Sequence, residues 1–309
     1  VESNNGGRGF ARAVQARAPG VRVYKERHII KERAKNAIEP LKGTNVINIL
    51  QDACDECPVN RFMVTEACRG CLAHKCHEVC PKDAIFIVNH HAYINQEKCI
   101  ECGRCHDACP YNAISDVQRP CIRSCEIGAI KIDEDRKAYI DDSKCVSCGA
   151  CVHMCPFGAI VDKPFVLDVL KLLKESENNT KYKVYAIIAP AVSSQFTNAR
   201  IEQVISGIDK IGFFHAVEVA LGADIVSYHE AHEFAETAEE MKWKTTSCCP
   251  AFVDYVSKAF PDLMGHVSNT VSPMIAAARL IKSMDESAKI VFIGPCTAKK
   301  MEIKKDDLR

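Results

Sequence analysis

Sixteen of the nineteen cysteines in this 309-residue chain lie before residue 156, at the spacing of metal-bound thiolates. Four segments end in one half-motif, Cys-x3-Cys-x3-Ala-Ile: Cys76 to Ile85, Cys105 to Ile114, Cys121 to Ile130 and Cys151 to Ile160. Cys99, Cys102, Cys105 and Cys109-Pro110 form one complete run, and Cys145, Cys148, Cys151 and Cys155-Pro156 form a second. Cys68, Cys71, Cys76 and Cys80-Pro81 repeat it with two extra residues. Thiolate is the soft, anionic ligand that iron–sulfur units require. Three cysteines on a tight loop hold three irons of a 4Fe–4S cubane, and the fourth, before proline, reaches the other cluster of a pair. Zinc ribbons also use Cys-x2-Cys pairs, but the Cys-Pro ends and Ala-Ile tails favour cubanes.

Cys54-x2-Cys57 and Cys121-x3-Cys125 are orphans until joined; together they make a fourth run split by an insertion. The pattern predicts one two-cluster ferredoxin module nested in another: an inner module over 58–120 and an outer one over 46–57 plus 121–163. Ligand exchange within each pair then gives four quartets. The inner quartets are Cys68, Cys71, Cys76 with Cys109, and Cys99, Cys102, Cys105 with Cys80. The outer quartets are Cys145, Cys148, Cys151 with Cys125, and Cys54, Cys57, Cys121 with Cys155. His74, His77 and His106 lie near these ligands, and a hydrogen-bonding or surface role is expected of them.

The elements that must carry these residues are legible in outline. Ile85–Val88 with Ala92–Ile94, and Ile130–Ile132 with Ala138–Ile140, read as hairpins bracketed by half-motifs, as in a bacterial ferredoxin. Residues 1–45 form a basic extension, with ten Lys/Arg against four Asp/Glu between Val1 and Lys42. Within it Lys25–Ile38 is a candidate charged helix, expected to be a solvated arm. A linker helix is expected in 164–183. From residue 184 the pattern changes. Strand candidates at Val184–Ala189, Phe213–Val219 and Ile290–Ile293 alternate with helix candidates at Arg200–Ile211, Ile225–Lys242, Ala251–Phe260 and Met274–Met284. That alternation implies a parallel sheet. The fold class is therefore α+β ferredoxin-like modules followed by an α/β domain over 184–309. A formal net charge of zero selects no nucleic acid. No apolar run approaches the ~20 residues of a membrane span. Ligand-type cysteine spacing and the lack of a hydrophobic leader point to the cytoplasm.

Three cysteines remain, in Thr246-Ser247-Cys248-Cys249-Pro250 and in Gly294-Pro295-Cys296-Thr297-Ala298-Lys299-Lys300. Adjacent cysteines project differently, so one suits a metal and the other a free thiol. These segments resemble the first two signatures of the iron-only (diiron) hydrogenases. Ile188-Ala189-Pro190-Ala191-Val192 resembles that family's active-site strand end, and Gly222-Ala223-Asp224 with Glu230 and Glu233 resembles its next segment. The Cys248-Cys249-Pro250-Ala251-Phe252 and Gly294-Pro295 forms look like a less-studied branch; the usual Trp after Pro250-Ala251 and Met before Pro295 are absent.

The resemblance implies a catalytic domain holding an H-cluster, a cubane joined to a diiron unit with carbon monoxide, cyanide and a dithiolate bridge. Cys249 and Cys296 would ligate its cubane. Cys248 would pass protons, with Glu230, Ser268 and Glu233 continuing the relay. Lys299 would hold a cyanide ligand, and Ala189, Pro190 and Pro295 would line the pocket. The implied activity is reversible proton reduction to H2, with a ferredoxin or another redox protein as electron partner. The family's third signature brings two further cysteines, and none follows Cys296 here. They are expected from a missing C-terminal part or a second chain. Rival readings are a non-catalytic polyferredoxin electron-transfer subunit, a hydrogen-sensing homologue, and an iron–sulfur assembly homologue, which does not normally keep the Cys248-Cys249 pair. Without the family, Glu230 and Glu233 would be a solvated acidic face, Ser268 a cap or loop hydroxyl, Lys299 a surface lysine, and Cys248 and Cys249 small buried apolar residues.

Overall fold

The structure, a computed structural model, describes residues 23–39, 45–54, 57–58, 60–196, 198–239 and 241–304. Its N-terminal half contains four two-stranded antiparallel sheets. Strand β1 (Ile47–Ile49) pairs with β8 (Ile160–Asp162), and β2 (Phe62–Val64) with β5 (Ile114–Asp116). Between the members of the second pair lies the hairpin β3 (Ile85–Val88) and β4 (His91–Ile94). The hairpin β6 (Ile130–Ile132) and β7 (Ala138–Ile140) follows β5 and precedes β8. The β2–β5 pair is therefore enclosed in sequence by the β1–β8 pair.

The Ala-Ile tails are the cores of these units. Ala84, Ala113, Ala129 and Ala159 are each 1% exposed, and Ile85, Ile114, Ile130 and Ile160 are buried beside them. Ile85 and Ile114 pack in one cluster with Phe62 and Ala92, and Ile130 and Ile160 in another with Ile47 and Ala138, so the isoleucines join the short sheets. Four one-turn helices carry the third cysteine of each run: α2 (Lys75–Glu78), α3 (Arg104–Ala108), α4 (Pro120–Arg123) and α5 (Ala150–Met154).

Helix α1 (Val23–Ile38) corrects the expectation of a solvated arm. Ile29 is buried against Leu50 and Val161. The Glu32 carboxylate accepts the amides of Gln51 (3.2 Å) and Asp52 (3.4 Å). The buried Lys163 ammonium donates to the carbonyls of Asn36, Ala37 and Glu39, satisfying acceptors that the end of a helix leaves free. Basic composition concealed this docking because only a few residues of the helix make it. The rest of the predicted extension, 1–22 and 40–44, lies outside the described residues.

Helix α6 (Val166–Glu175) leads into a three-stranded parallel sheet, ordered β10 (His215–Glu218), β9 (Val184–Ile188), β11 (Lys289–Ile293). Central β9 is buried on both faces, which is why it reads as an unbroken apolar run. Its Val184, Ala186 and Ile188 pack with Val204 and Ile208 of α7 (Ile201–Ile211) and with Val169 and Leu172 of α6. Ile187 faces the other way, toward Met274, Ile275 and Ile281 of α10 (Pro273–Met284). Helix α8 (Ala220–Thr237) crosses α10 so closely that a Cβ on Gly222 would stand 2.2 Å from the Pro273 carbonyl oxygen. Two further helices, α9 (Pro250–Ala259) and α11 (Thr297–Glu302), follow the Cys-Cys and Pro-Cys loops. Because β10 and β11 flank β9 on opposite sides, the carboxyl end of β9 is a topological switch point, where parallel sheets open a crevice.

Candidate metal centres and the adjoining crevice

The sixteen N-terminal thiols gather in four groups. Burial raises the Cys76 thiol above its ordinary range, and its interacting cysteines are Cys109, Cys71 and Cys68. Cys80, Cys99, Cys102 and Cys105 line one cavity, and burial pushes Cys105 up to about 11. Burial pushes Cys121 up to about 11, with Cys155, Cys54 and Cys57 adding to the rise. Cys151 is pushed up to about 12, again by burial first, then by Cys145, Cys148 and Cys125. Thiols crowded in this way resist ionising until cationic metal offsets the cost.

The donor set suits cubanes. The quartets consist of cysteine thiols alone, the soft ligands that iron–sulfur units take. One zinc needs its sulfurs ~2.3 Å from a common centre, whereas the thiolates of a cubane attach to different irons. Backbone amides also point at the sulfurs. Ala84, Ala113 and Ala129 donate to the Sγ atoms of Cys80 (3.2 Å), Cys109 (3.3 Å) and Cys125 (3.2 Å). This gives a physical reason for the Cys-x3-Ala spacing. Ala92 donates to Cys68 Sγ (3.4 Å), and Ala138, from the other hairpin, to Cys54 Sγ (3.4 Å). Such bonds stabilise thiolate and tune cluster potential. Of the nearby histidines, His106 Nδ1 meets Asp107 at 2.9 Å, in keeping with a hydrogen-bonding role.

The second cluster of candidate residues surrounds the switch point. The Ala189 amide donates to the Ile293 carbonyl (2.9 Å), which brings Ala189-Pro190 beside Gly294-Pro295-Cys296. A side chain at Gly294 would collide with the Phe292 ring (2.6 Å) and approach Ala189 Cβ (3.0 Å), so Phe292 fills the space a residue larger than glycine would need. Cys249 caps the N-terminus of α9 and Cys296 that of α11, each with extended backbone and each followed by the first helical residue. A helix N-terminus is where negative charge is best tolerated.

Cys248 and Cys249 are exposed, not the buried apolar pair that composition alone implies. Cys248 Sγ lies 3.6 Å from Thr246 Oγ1. Lys299 is not a surface lysine: its ammonium donates to the Cys248 carbonyl (3.1 Å) and to the buried Glu302 carboxylate (3.0 Å). It thereby ties the Cys248 loop to the helix that follows Cys296.

Nor are Glu230 and Glu233 a solvated face. They are half-buried on α8, while Glu236 and Glu239 beyond them are exposed. Glu230 accepts the Ser247 amide at 3.0 Å, one residue from Cys248. Glu233 accepts the hydroxyl of the buried Ser268 (2.5 Å) and the Asn269 amide (3.0 Å). Lys244, which the sequence does not single out, completes the set with an ion pair to Glu233 at 2.8 Å and a side chain only 8% exposed. Burial works against the Glu233 charge. Hydrogen bonds from Lys244, Ser268 and Asn269 and the charge of Lys244 outweigh it, holding the carboxyl at about 2.

A carboxyl held below its ordinary 4.5 stabilises the fold in full above that pH and loses this contribution as pH falls toward about 2. Lys244→Met is therefore expected to cost ~1–3 kcal/mol at pH 7 by leaving a half-buried carboxylate short of its donor. The gap between wild type and variant should close as pH falls through that window. Urea unfolding of both proteins across pH measures it; an equal gap at every pH would refute the assignment.

Comparison with known proteins adds to this geometry. Residues 182–309 match the family model described as iron only hydrogenase large subunit, C-terminal domain. Residues 92–115 match a 4Fe-4S binding domain, and 119–159 a 4Fe-4S dicluster domain. The chain thus carries regions similar to 4Fe–4S binding domains, followed by one similar to the C-terminal domain of iron-only hydrogenase large subunits. The periplasmic [Fe] hydrogenase large subunit of Nitratidesulfovibrio vulgaris is 29% identical over 165 residues, 47% of this chain and 38% of that relative. The cytosolic Fe-S cluster assembly factor NAR1 of Yarrowia lipolytica is 27% identical over 124 residues, 38% of this chain and 24% of its own length. Ferredoxin-1 of Caulobacter vibrioides is 42% identical over 74 residues, 24% of this chain and 51% of its own length. The chain thus spans well under two thirds of each. Among the described residues no helix is long and apolar enough to cross a membrane.

Proposed function

We propose that this chain is the electron-wired part of a hydrogenase that interconverts H2 with protons and electrons. Four 4Fe–4S clusters sit in two nested modules, bound by the four quartets of cysteines. The observation that carries this reading is the junction between the wire and the crevice. Val146, next to Cys145, packs with Ala251, Ala298 and Cys296 in one buried cluster. Thr297 Oγ1 donates to the Ser147 carbonyl (2.7 Å), and Lys258 Nζ to the Cys145 carbonyl (2.6 Å). The quartet of Cys125, Cys145, Cys148 and Cys151 thus abuts the loop expected to bind the catalytic cofactor, which supports a continuous route for electrons.

Cys249 and Cys296 are two of the four thiolates an H-cluster cubane needs. The other two would come from a part of the enzyme outside residues 1–309. When bound, the cofactor supplies the metal chemistry on hydrogen. The chain's own residues handle protons and position. Cys248 offers a thiol that can take up and pass on a proton. Glu230 fixes the Ser247 amide beside it and is the adjoining carboxylate. Glu233, kept ionised by Lys244, orients the Ser268 hydroxyl toward itself. Lys299 braces the Cys248 loop, and Ala189, Pro190 and Pro295 form the floor of the crevice. A ferredoxin-type protein is the natural electron partner.

A second reading, a cluster-assembly role without hydrogen chemistry, is favoured by the similarity to NAR1. A free Cys248 beside Glu230 has no evident part in it. Infrared spectroscopy on maturated protein with its complete ligand set separates the two. Carbonyl and cyanide bands with hydrogen uptake are expected; fully loaded cubanes with no such bands would leave an electron-transfer or assembly role.

A further inference from the structure

The four helices carrying the third cysteine of each run begin in two different ways. His74, Gly103 and Gly149, each two residues before that cysteine, cap α2, α3 and α5 with φ of 40°, 80° and 81°. The corresponding residue of the split run is Arg119, with φ −54° and ψ 131°. Pro120 follows it, and a residue before proline is steered to extended backbone. The chain therefore enters α4 from the inserted module instead of turning out of Cys57, and the Arg119 side chain is directed inward.

That side chain is 2% exposed. Its Nε donates to the Pro58 carbonyl (3.0 Å), and Nη2 to the carbonyls of Arg136 (2.7 Å) and Cys57 (3.4 Å). Nη1 lies 4.0 Å from Cys54 Sγ. Among the described residues every acceptor is a neutral carbonyl except that sulfur. A buried guanidinium keeps its charge and requires an anion. Cys54, Cys57 and Cys155 all neighbour Cys121.

We propose that Arg119 is a positioning residue for the cluster of Cys54, Cys57, Cys121 and Cys155: it splints the two halves of the interrupted run, and its charge raises that cluster's reduction potential. The splint replaces the peptide continuity that the other three runs have between their second and third cysteines. The charge favours the reduced, more anionic cluster over the oxidised one. This rests on the four-cluster reading of the cysteine quartets.

The test is an EPR-monitored redox titration of anaerobically reconstituted protein. In Arg119→Gln, one cluster is expected to show a reduced-to-oxidised ratio at least tenfold lower at fixed potential, equivalent to ~59 mV for a one-electron couple. The other three should not move. Four unshifted clusters in a fully loaded Arg119→Gln overturn the inference. If that variant loads only three clusters, Arg119→Lys decides: four clusters with a ratio near wild type uphold the role of charge, and three overturn it. Asp55 and Glu56, which stand between Cys54 and Cys57 in sequence, are the rival counter-ions. If the Arg119→Gln shift vanishes in an Asp55→Asn, Glu56→Gln background, the guanidinium answers those carboxylates and the inference falls. Wild-type protein holding fewer than ~12 irons would instead count against the four-cluster reading itself.

Discussion

Cys155→Ser is expected to remove the cluster of Cys54, Cys57 and Cys121 and to leave its sequence neighbours Cys145, Cys148 and Cys151 loaded. Simple reading along the chain gives the opposite result, because Cys155 ends the second complete run. The environment of Cys121 favours the exchange: burial raises its thiol first, and Cys155 heads the cysteines that raise it further. Cys125 stands with Cys145 and Cys148 around Cys151 in the same way. Each single variant should lose about four of ~16 irons. The double variant Cys54→Ser, Cys155→Ser should lose no more than either single one, since both remove one site. Cys125→Ser combined with Cys155→Ser should lose about eight. Iron and sulfide content with EPR spin counting reads all of these. An additive loss in the Cys54, Cys155 pair would sink the nested scheme.

The cysteine framework was legible because its physics is local. A Cys-x3-Ala spacing brings an amide to a sulfur four residues back, and the alanine and isoleucine that follow pack where they must. The two halves of the split run could be recognised for the same reason, since each keeps its own spacing; that they form one run belongs to the proposed reading. The parallel sheet was visible in the unbroken apolar run of β9. Helix α8 was read too late in sequence, at Ile225, because its first turn lies at the α10 crossing and is chosen for closeness: Gly222 there has no side chain to show a period.

What stayed hidden depends on partners far away in sequence. Ile29 meets Val161, Arg119 holds Pro58, and Lys244 meets Glu233 across a helix and a loop. No spacing rule connects these pairs. Glu230 and Glu233 could not be told from Glu236 and Glu239 by composition. The segment from Lys244 to Thr270 covers the first two and leaves the others in solvent.

Cys248→Ser is expected to cut hydrogen turnover by ~10²–10⁴-fold in the protein with its complete ligand set, the range a lost proton-transfer group costs. Iron content and carbonyl and cyanide bands should stay at wild-type levels, because in the proposed reading the ligand of the pair is Cys249, at the N-cap of α9, and not Cys248. A serine hydroxyl fills nearly the same space and keeps a contact to Thr246, so packing gives no reason for a large loss. The difference lies in the proton: a thiol releases it near neutral pH, a hydroxyl does not. The neighbouring variant separates this from general damage. Cys249→Ser, at the N-cap of α9, should lose cubane iron together with turnover. The two cysteines thus fail in different ways, although they are adjacent and both exposed. If Cys248→Ser kept turnover within a fewfold of wild type, protons would have to reach the crevice without this thiol, and the pairing of Cys248 with Glu230 through Ser247 would be structural. If it lost iron instead, Cys248 would be a ligand, and the free thiol of the pair would be Cys249.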